Sequence, residues 1–294
     1  MATFERLGVF TSCPRTPSTL GWFNGYDANI LGGMMVGVGM TLTGACPGTV
    51  LVQLSTGIRS GFFVMIGGIL GGILYSRFGR YLRNNNNNNS AASSESPTAN
   101  LTVHSKLGLD PNRVLLAYEA ACVAIITLAT YLAPQDVRAQ LHPVVGGLLI
   151  GGAQAASIIM TSKPVGVSTV YEEIGQYFWR TWDRAVASSS PSIKNEALPS
   201  TRAIQFALGI LAGSWTVARS LALTQESPGS GSGFRDVSNF AAVVGGCVMV
   251  FGARLAGGCT SGHGISGMAM LSVSSIVTVA AMFGGGIALA ALMK

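Results

Sequence analysis

Apolar residues gather into seven blocks, 29–46, 61–79, 113–133, 143–160, 202–222, 238–257 and 269–293, parted by stretches of Arg, Asn, Ser and Pro. A helix of about 20 residues crosses a hydrocarbon core of about 30 Å. The strict alternation of barrel strands is absent, so the pattern predicts helices. The expected fold is all-α, a polytopic helical membrane protein.

Two polar stretches interrupt the pattern. "RNNNNNNSAASSESPTAN" has too little apolar content to bury a core. The other covers 161–201 and opens with "TVYEEIGQYFWRTWDRA" (169–185), whose aromatic and basic residues suit a helix at the membrane interface. Glu172 and Glu173 are read there as an interfacial helix face rather than a catalytic pair. The expected division is a polar segment 1–28, a first membrane half 29–83, a linker 84–112, helices with a third loop 113–168, an interfacial helix and linker 169–201, and a second membrane half 202–294.

Composition strengthens the membrane reading. Only 10% of residues are charged, against about 25% in soluble domains. The net charge of +6 carries no basic-aromatic interleaving, so nucleic acid is excluded as a partner and the lipid bilayer is the expected one. Cys13, Cys46, Cys122, Cys247 and Cys259 show neither a CxxC metal spacing nor a disulfide framework. No cofactor or metal is predicted. The first 28 residues lack an apolar core, so no cleavable signal peptide is expected. If all seven blocks span, one side carries most of the 18 basic residues, among them Arg15, Arg77, Lys106, Arg180 and Arg184. That excess puts the N-terminus inside and the C-terminus outside.

At an offset of 213 residues, Gly33, Gly39, Leu42, Gly44 and Cys46 fall on Gly246, Gly252, Leu255, Gly257 and Cys259. The copies start on opposite sides, so an inverted-topology repeat is expected, with both Gly-x-Cys loops converging on a central waist. The pairs Gly33/Gly37, Gly67/Gly71 and Gly147/Gly151 are read as sites of close helix approach. A Gly-rich turn bares N–H groups that bind anions without a fixed charge. Cysteine adds a polarisable thiol with a weak S–H donor.

"GGMMVGVGMTLTGACPG" and "FGARLAGGCTSGHGISG" resemble the paired signature loops of the YeeE/YedE sulfur-transport family. "LVQLSTGIRSG" resembles its eukaryotic, fungal-like branch. The resemblance implies an hourglass-shaped membrane permease or channel for a sulfur oxyanion, thiosulfate first, and implies that Cys46 and Cys259 are motif cysteines that pass the ion along. It also implies a further helix and signature loop before the first motif. The chain lacks them, so it is expected to be a truncated member, the product of a defective gene model, or a variant with another path. The third loop corresponds to "GGLLIGGAQAASIIMTSKPVGVS" (146–168), without a cysteine.

The expected ion path comprises Gly44, Cys46, Pro47, Gly48 and Thr49 in the first loop and Gly257, Gly258, Cys259, Thr260, Ser261, Gly262 and His263 in the second. Four polar positions carry open alternatives. His263 either donates to the ion or caps loop carbonyls. Gln154 either lies on the path or bonds between helices. Lys163 either attracts anions or snorkels. Arg254 either lines the path or pairs with an acidic residue. Cys122 and Cys247 are read as packing residues and Cys13 as an exposed or interfacial thiol. The expected partners are the sulfur anion and a sulfur-accepting protein inside the cell. The expected location is the plasma membrane, with an organelle membrane as the alternative. Rival functions are a membrane sulfurtransferase or thiol oxidoreductase, a pore for another solute, and an inactive scaffold.

Overall fold

The computed structural model describes residues 15–22, 25–79, 101–108, 110–132, 143–161, 166–186, 200–220 and 237–293. The helices are α1 (Asp27–Thr43), α2 (Thr49–Ser55), α3 (Arg59–Leu74), α4 (Val103–Leu107), α5 (Pro111–Leu132), α6 (Pro143–Thr161), α7 (Thr169–Val186), α8 (Arg202–Ser220), α9 (Asn239–Leu255) and α10 (Val273–Leu292). Tyr75–Gly79 continues α3 as a π-helical turn, and Thr260–Gly267 forms a second π-helical segment. Each of the seven apolar blocks is helical, and the aromatic-basic stretch is α7. Among the described residues the sole β-type pairing is an isolated bridge between Thr102 and Ser272.

Capping groups set the helix ends. The Asp27 carboxylate accepts the N–H groups of Leu20, Trp22 and Ala28 where α1 begins. Gly44, at φ 65°, ends it in the left-handed conformation and donates its N–H to the Met40 carbonyl. Ser238 caps α9 by accepting the N–H of Ala241.

Glycines let the central helices touch backbone to backbone. A Cβ on Gly32 would lie 2.5 Å from the Gly252 oxygen, and one on Gly39 would lie 2.7 Å from the Gly245 oxygen. The numbers run in opposite directions, so α1 and α9 are antiparallel. Gly33 meets Thr278 and Ala281 of α10, and Gly37 meets Met282, so α1 and α10 run parallel. Gly246 meets Val64 and Gly71 meets Cys247 in the same way, so α3 and α9 run parallel. The principal partners of α1 are α9 and α10, and that of α3 is α9. The packing contacts thus pair helices that are distant in sequence.

Three helical stretches among the described residues are long and apolar enough to cross a bilayer: 59–79, 112–132 and 273–292. α9 with the π-helical segment, bent by 44°, counts as a fourth if the pair is one span. The inside-outside assignment above supposed that all seven blocks span. α1 has only 17 residues and breaks at Gly44 before the short α2.

Several expectations need correction. Gly147 and Gly151 have no atom within 4 Å of a built Cβ, so they make no close helix approach here. Residues 146–161 of the expected third loop are helical, because they carry apolar side chains with no breaker until Pro164. The end of the 84–112 linker is docked: Val103 donates to the Leu271 carbonyl, and Val273 donates to that of Leu101. Glu172 and Glu173 are buried rather than facing outward. Part of the 1–28 segment is packed into the fold, as described next.

Candidate functional site

The first loop is organised by short-range bonds. Cys46 N–H donates to Thr49 Oγ1 at 2.7 Å, and Thr49 N–H returns to Cys46 Sγ at 3.4 Å. This reciprocal pair closes the turn that leads into α2. The Pro47 carbonyl accepts the Tyr171 hydroxyl at 3.0 Å. Gly48 lies against Val167, with 3.6 Å from its built Cβ to the valine methyl.

The second loop is held from a distance. Gly257, at φ 85°, turns the chain out of α9 in the left-handed conformation that Gly44 uses after α1. Gly258 N–H donates to the Ala253 carbonyl at 2.8 Å. Cys259 is buried, and its sulfur is 3.1 Å from Ser261 Oγ. Gly262 and Ser168 lie beside that sulfur and favour its charged form. Thr260 opens the π-helical segment. In each loop a left-handed glycine, Gly44 or Gly257, stands two residues before the cysteine, and these glycines are themselves 213 apart.

The two loops contribute to one apolar cluster that includes Ala45, Val50, Val64, Met249 and Cys259. Tyr171 interacts electrostatically with both thiols. Burial first, then Cys259 and Cys46, raise its pKa above the ordinary phenol value, so the hydroxyl remains a neutral donor.

His263 uses both ring nitrogens inside the protein. Nε2 lies 3.1 Å from the Ala256 carbonyl, which only accepts, so Nε2 carries the proton. Nδ1 therefore accepts from Ser275 Oγ at 2.9 Å. The Ala256 carbonyl also accepts from Asn29 Nδ2 (3.1 Å) and Ser18 Oγ (3.3 Å). Arg254 pairs with Glu172 and lies over the Tyr75 ring. Gln154 donates to Ser266 Oγ at 3.1 Å, joining α6 to the π-helical segment. Lys163 and Cys13 lie outside the described residues. Cys122 in α5 and Cys247 in α9 are half-buried, and Cys247 packs on Gly71.

Several members of this arrangement escape the sequence pattern. Arg15 donates from Nη1 to the Gly257 carbonyl at 2.8 Å. Burial lowers its pKa; Cys259 opposes that shift and Arg254 adds to it. Glu173 accepts the N–H groups of Ala203 and Ile204 and so caps α8. Ser168 and Tyr171 reach the loops from the second polar stretch, 161–201. Only Ser168 carried a signal, since it closes the cysteine-free third-loop sequence.

A family model described as sulphur transport matches residues 3–288. No curated protein matches the chain.

Proposed function

The chain belongs to the YeeE/YedE sulfur-transport family, and from that premise we propose that it is a multi-pass permease for a sulfur oxyanion, with thiosulfate the preferred cargo. The observation that carries the reading is the matched pair of thiols. Each follows a left-handed glycine by two residues, and the two loops meet in one apolar cluster, with buried Tyr171 bonded to the first loop at Pro47. A dianion must shed much of its water to cross. Thiols, the Thr49, Ser168, Ser261 and Tyr171 hydroxyls, and backbone N–H groups replace that water with weak bonds that also permit release.

The halves 29–83 and 202–294 act as inverted repeats in this reading. Its support is the reciprocity of contacts. The Gly32–Gly252 approach has its counterpart in Gly39–Gly245, and the antiparallel course of α1 and α9 suits an axis in the membrane plane. Loops leaving opposite ends of these helices then meet at a protein-lined waist, as bare loop backbone requires. The path runs past Gly44, Cys46, Pro47, Gly48 and Thr49 to Gly257–His263. Gln154, Lys163 and Arg254 flank it. The host is the plasma membrane, and a sulfur-accepting protein takes the cargo inside. The cysteines conduct rather than catalyse.

Uptake of radiolabelled thiosulfate by proteoliposomes tests the proposal. Saturable uptake that needs Cys259 is expected. Vesicles no more permeable than protein-free ones overturn the reading, and a persulfide trapped on Cys259 without flux replaces it with sulfur transfer.

A further inference from the structure

The segment before α1 holds a cation that the transport reading above does not use. Its backbone is pinned across the fold. The Arg15 carbonyl accepts the hydroxyls of Ser272 (3.2 Å) and Ser274 (3.0 Å), and Ser18 N–H donates to Asn29 Oδ1 at 2.7 Å. The side chain then lies across the second loop. A Cβ on Gly258 would come within 2.8 Å of Nη1, and one on Gly262 within 2.9 Å of Nη2. Two loop glycines therefore leave open the space that the guanidinium fills.

Among the described residues no carboxylate compensates the charge. There too its Nε is buried without a hydrogen-bond partner, and its acceptor is the Gly257 carbonyl. Arg254, the other cation at this loop, is neutralised by Glu172. Removing a guanidinium from water without a counter-ion is unfavourable. An incoming anion supplies what is missing, and the planar fork matches two oxygens of a tetrahedral oxyanion.

We propose that Arg15 is the fixed cation of an oxyanion-binding site at the second Gly-Cys loop, presented over Gly258 and Gly262 and beside Cys259. It rests on the reading that the cargo is a sulfur oxyanion. The guanidinium takes the oxygens and leaves the terminal sulfur of thiosulfate to the softer Cys259 thiol. Sulfate, which shares the oxygens, binds the same fork.

Two measurements on the full chain test it. The first uses the unaltered, detergent-purified protein: phenylglyoxal modification of Arg15 is followed by peptide mass spectrometry with and without thiosulfate or sulfate. Either anion is expected to slow modification of Arg15 and to leave the exposed Arg113 unchanged. The second is uptake by Arg15→Gln and Arg15→Lys. Arg15→Gln is expected to raise the half-saturating thiosulfate concentration about tenfold or more, with Arg15→Lys intermediate. Modification of Arg15 at the same rate with and without anion overturns the proposal, as does half-saturation of a folded Arg15→Gln protein at the original concentration. If Arg15→Gln does not fold, the protection measurement decides alone. Protection of Arg15 without any uptake sinks the transport reading and keeps the site, whereas uptake with Arg15 unprotected does the reverse.

Discussion

The two Gly-Cys loops share a sequence pattern but not an environment. The first is held mainly by its own residues: Cys46 is half-buried and bonded to Thr49 three residues away, and the outside hydrogen bond comes from Tyr171 to Pro47. The second is assembled from the whole chain. Cys259 is buried among groups from Ser168 and the Arg15 segment, and His263 ties the loop to Ser275. A motif can therefore repeat its local geometry, here a left-handed glycine two residues before the cysteine, while its surroundings diverge. The turn recurs because it needs only the motif. The shell does not, because other segments supply it.

The contrast predicts that damage to the second loop costs more. Cys259→Ala should abolish thiosulfate uptake in proteoliposomes while the melting temperature of the purified protein falls by only a few degrees, because a thiol-to-methyl change is small. Uptake at half the original rate or better would remove Cys259 from the path. Glu172→Gln comes next. It strands Arg254 below the second loop, and breaking a buried ion pair costs about 3–5 kcal/mol. Denaturant unfolding should register that loss, and Arg254→Met should restore part of it in the Glu172→Gln background. No stability change would mean that water already screens the pair.

Thr49→Val should act more mildly. It removes the hydroxyl that ties Thr49 to Cys46 at a cost of about 1 kcal/mol and should reduce uptake several-fold without abolishing it. A loss as complete as that from Cys259→Ala would make the loops equals after all. Cys122→Ala, remote from both loops on α5, should leave uptake unchanged. Any fall matching that of Cys259→Ala would show that the assay reports folding.

The helices were legible because lipid and a small-residue core both select long apolar runs, and each of the seven runs is helical. The 213-residue match also marked both left-handed glycines, Gly44 and Gly257. The break at Gly44 and the helical course of 146–161 were harder to see. Apolar glycine-rich sequence serves either conformation, and packing chooses. Arg15 read as one basic residue among many, since its partner Gly257 lies 242 positions away. Glu172 and Glu173 looked like an interfacial helix face because their partners, Arg254 and the start of α8, are also distant in sequence.

The pairing of α1 with α9 and α10 also constrains how the protein is made. At about 5–20 residues per second, the more than 200 residues between Gly32 and Gly252 take on the order of 10–40 s to synthesise. Throughout that interval the glycine face of α1 has no partner within its own chain. The nascent N-terminal half must wait in the bilayer or with a chaperone, and the synthesis of α9 and α10, not local helix formation, sets the earliest moment at which the core can close.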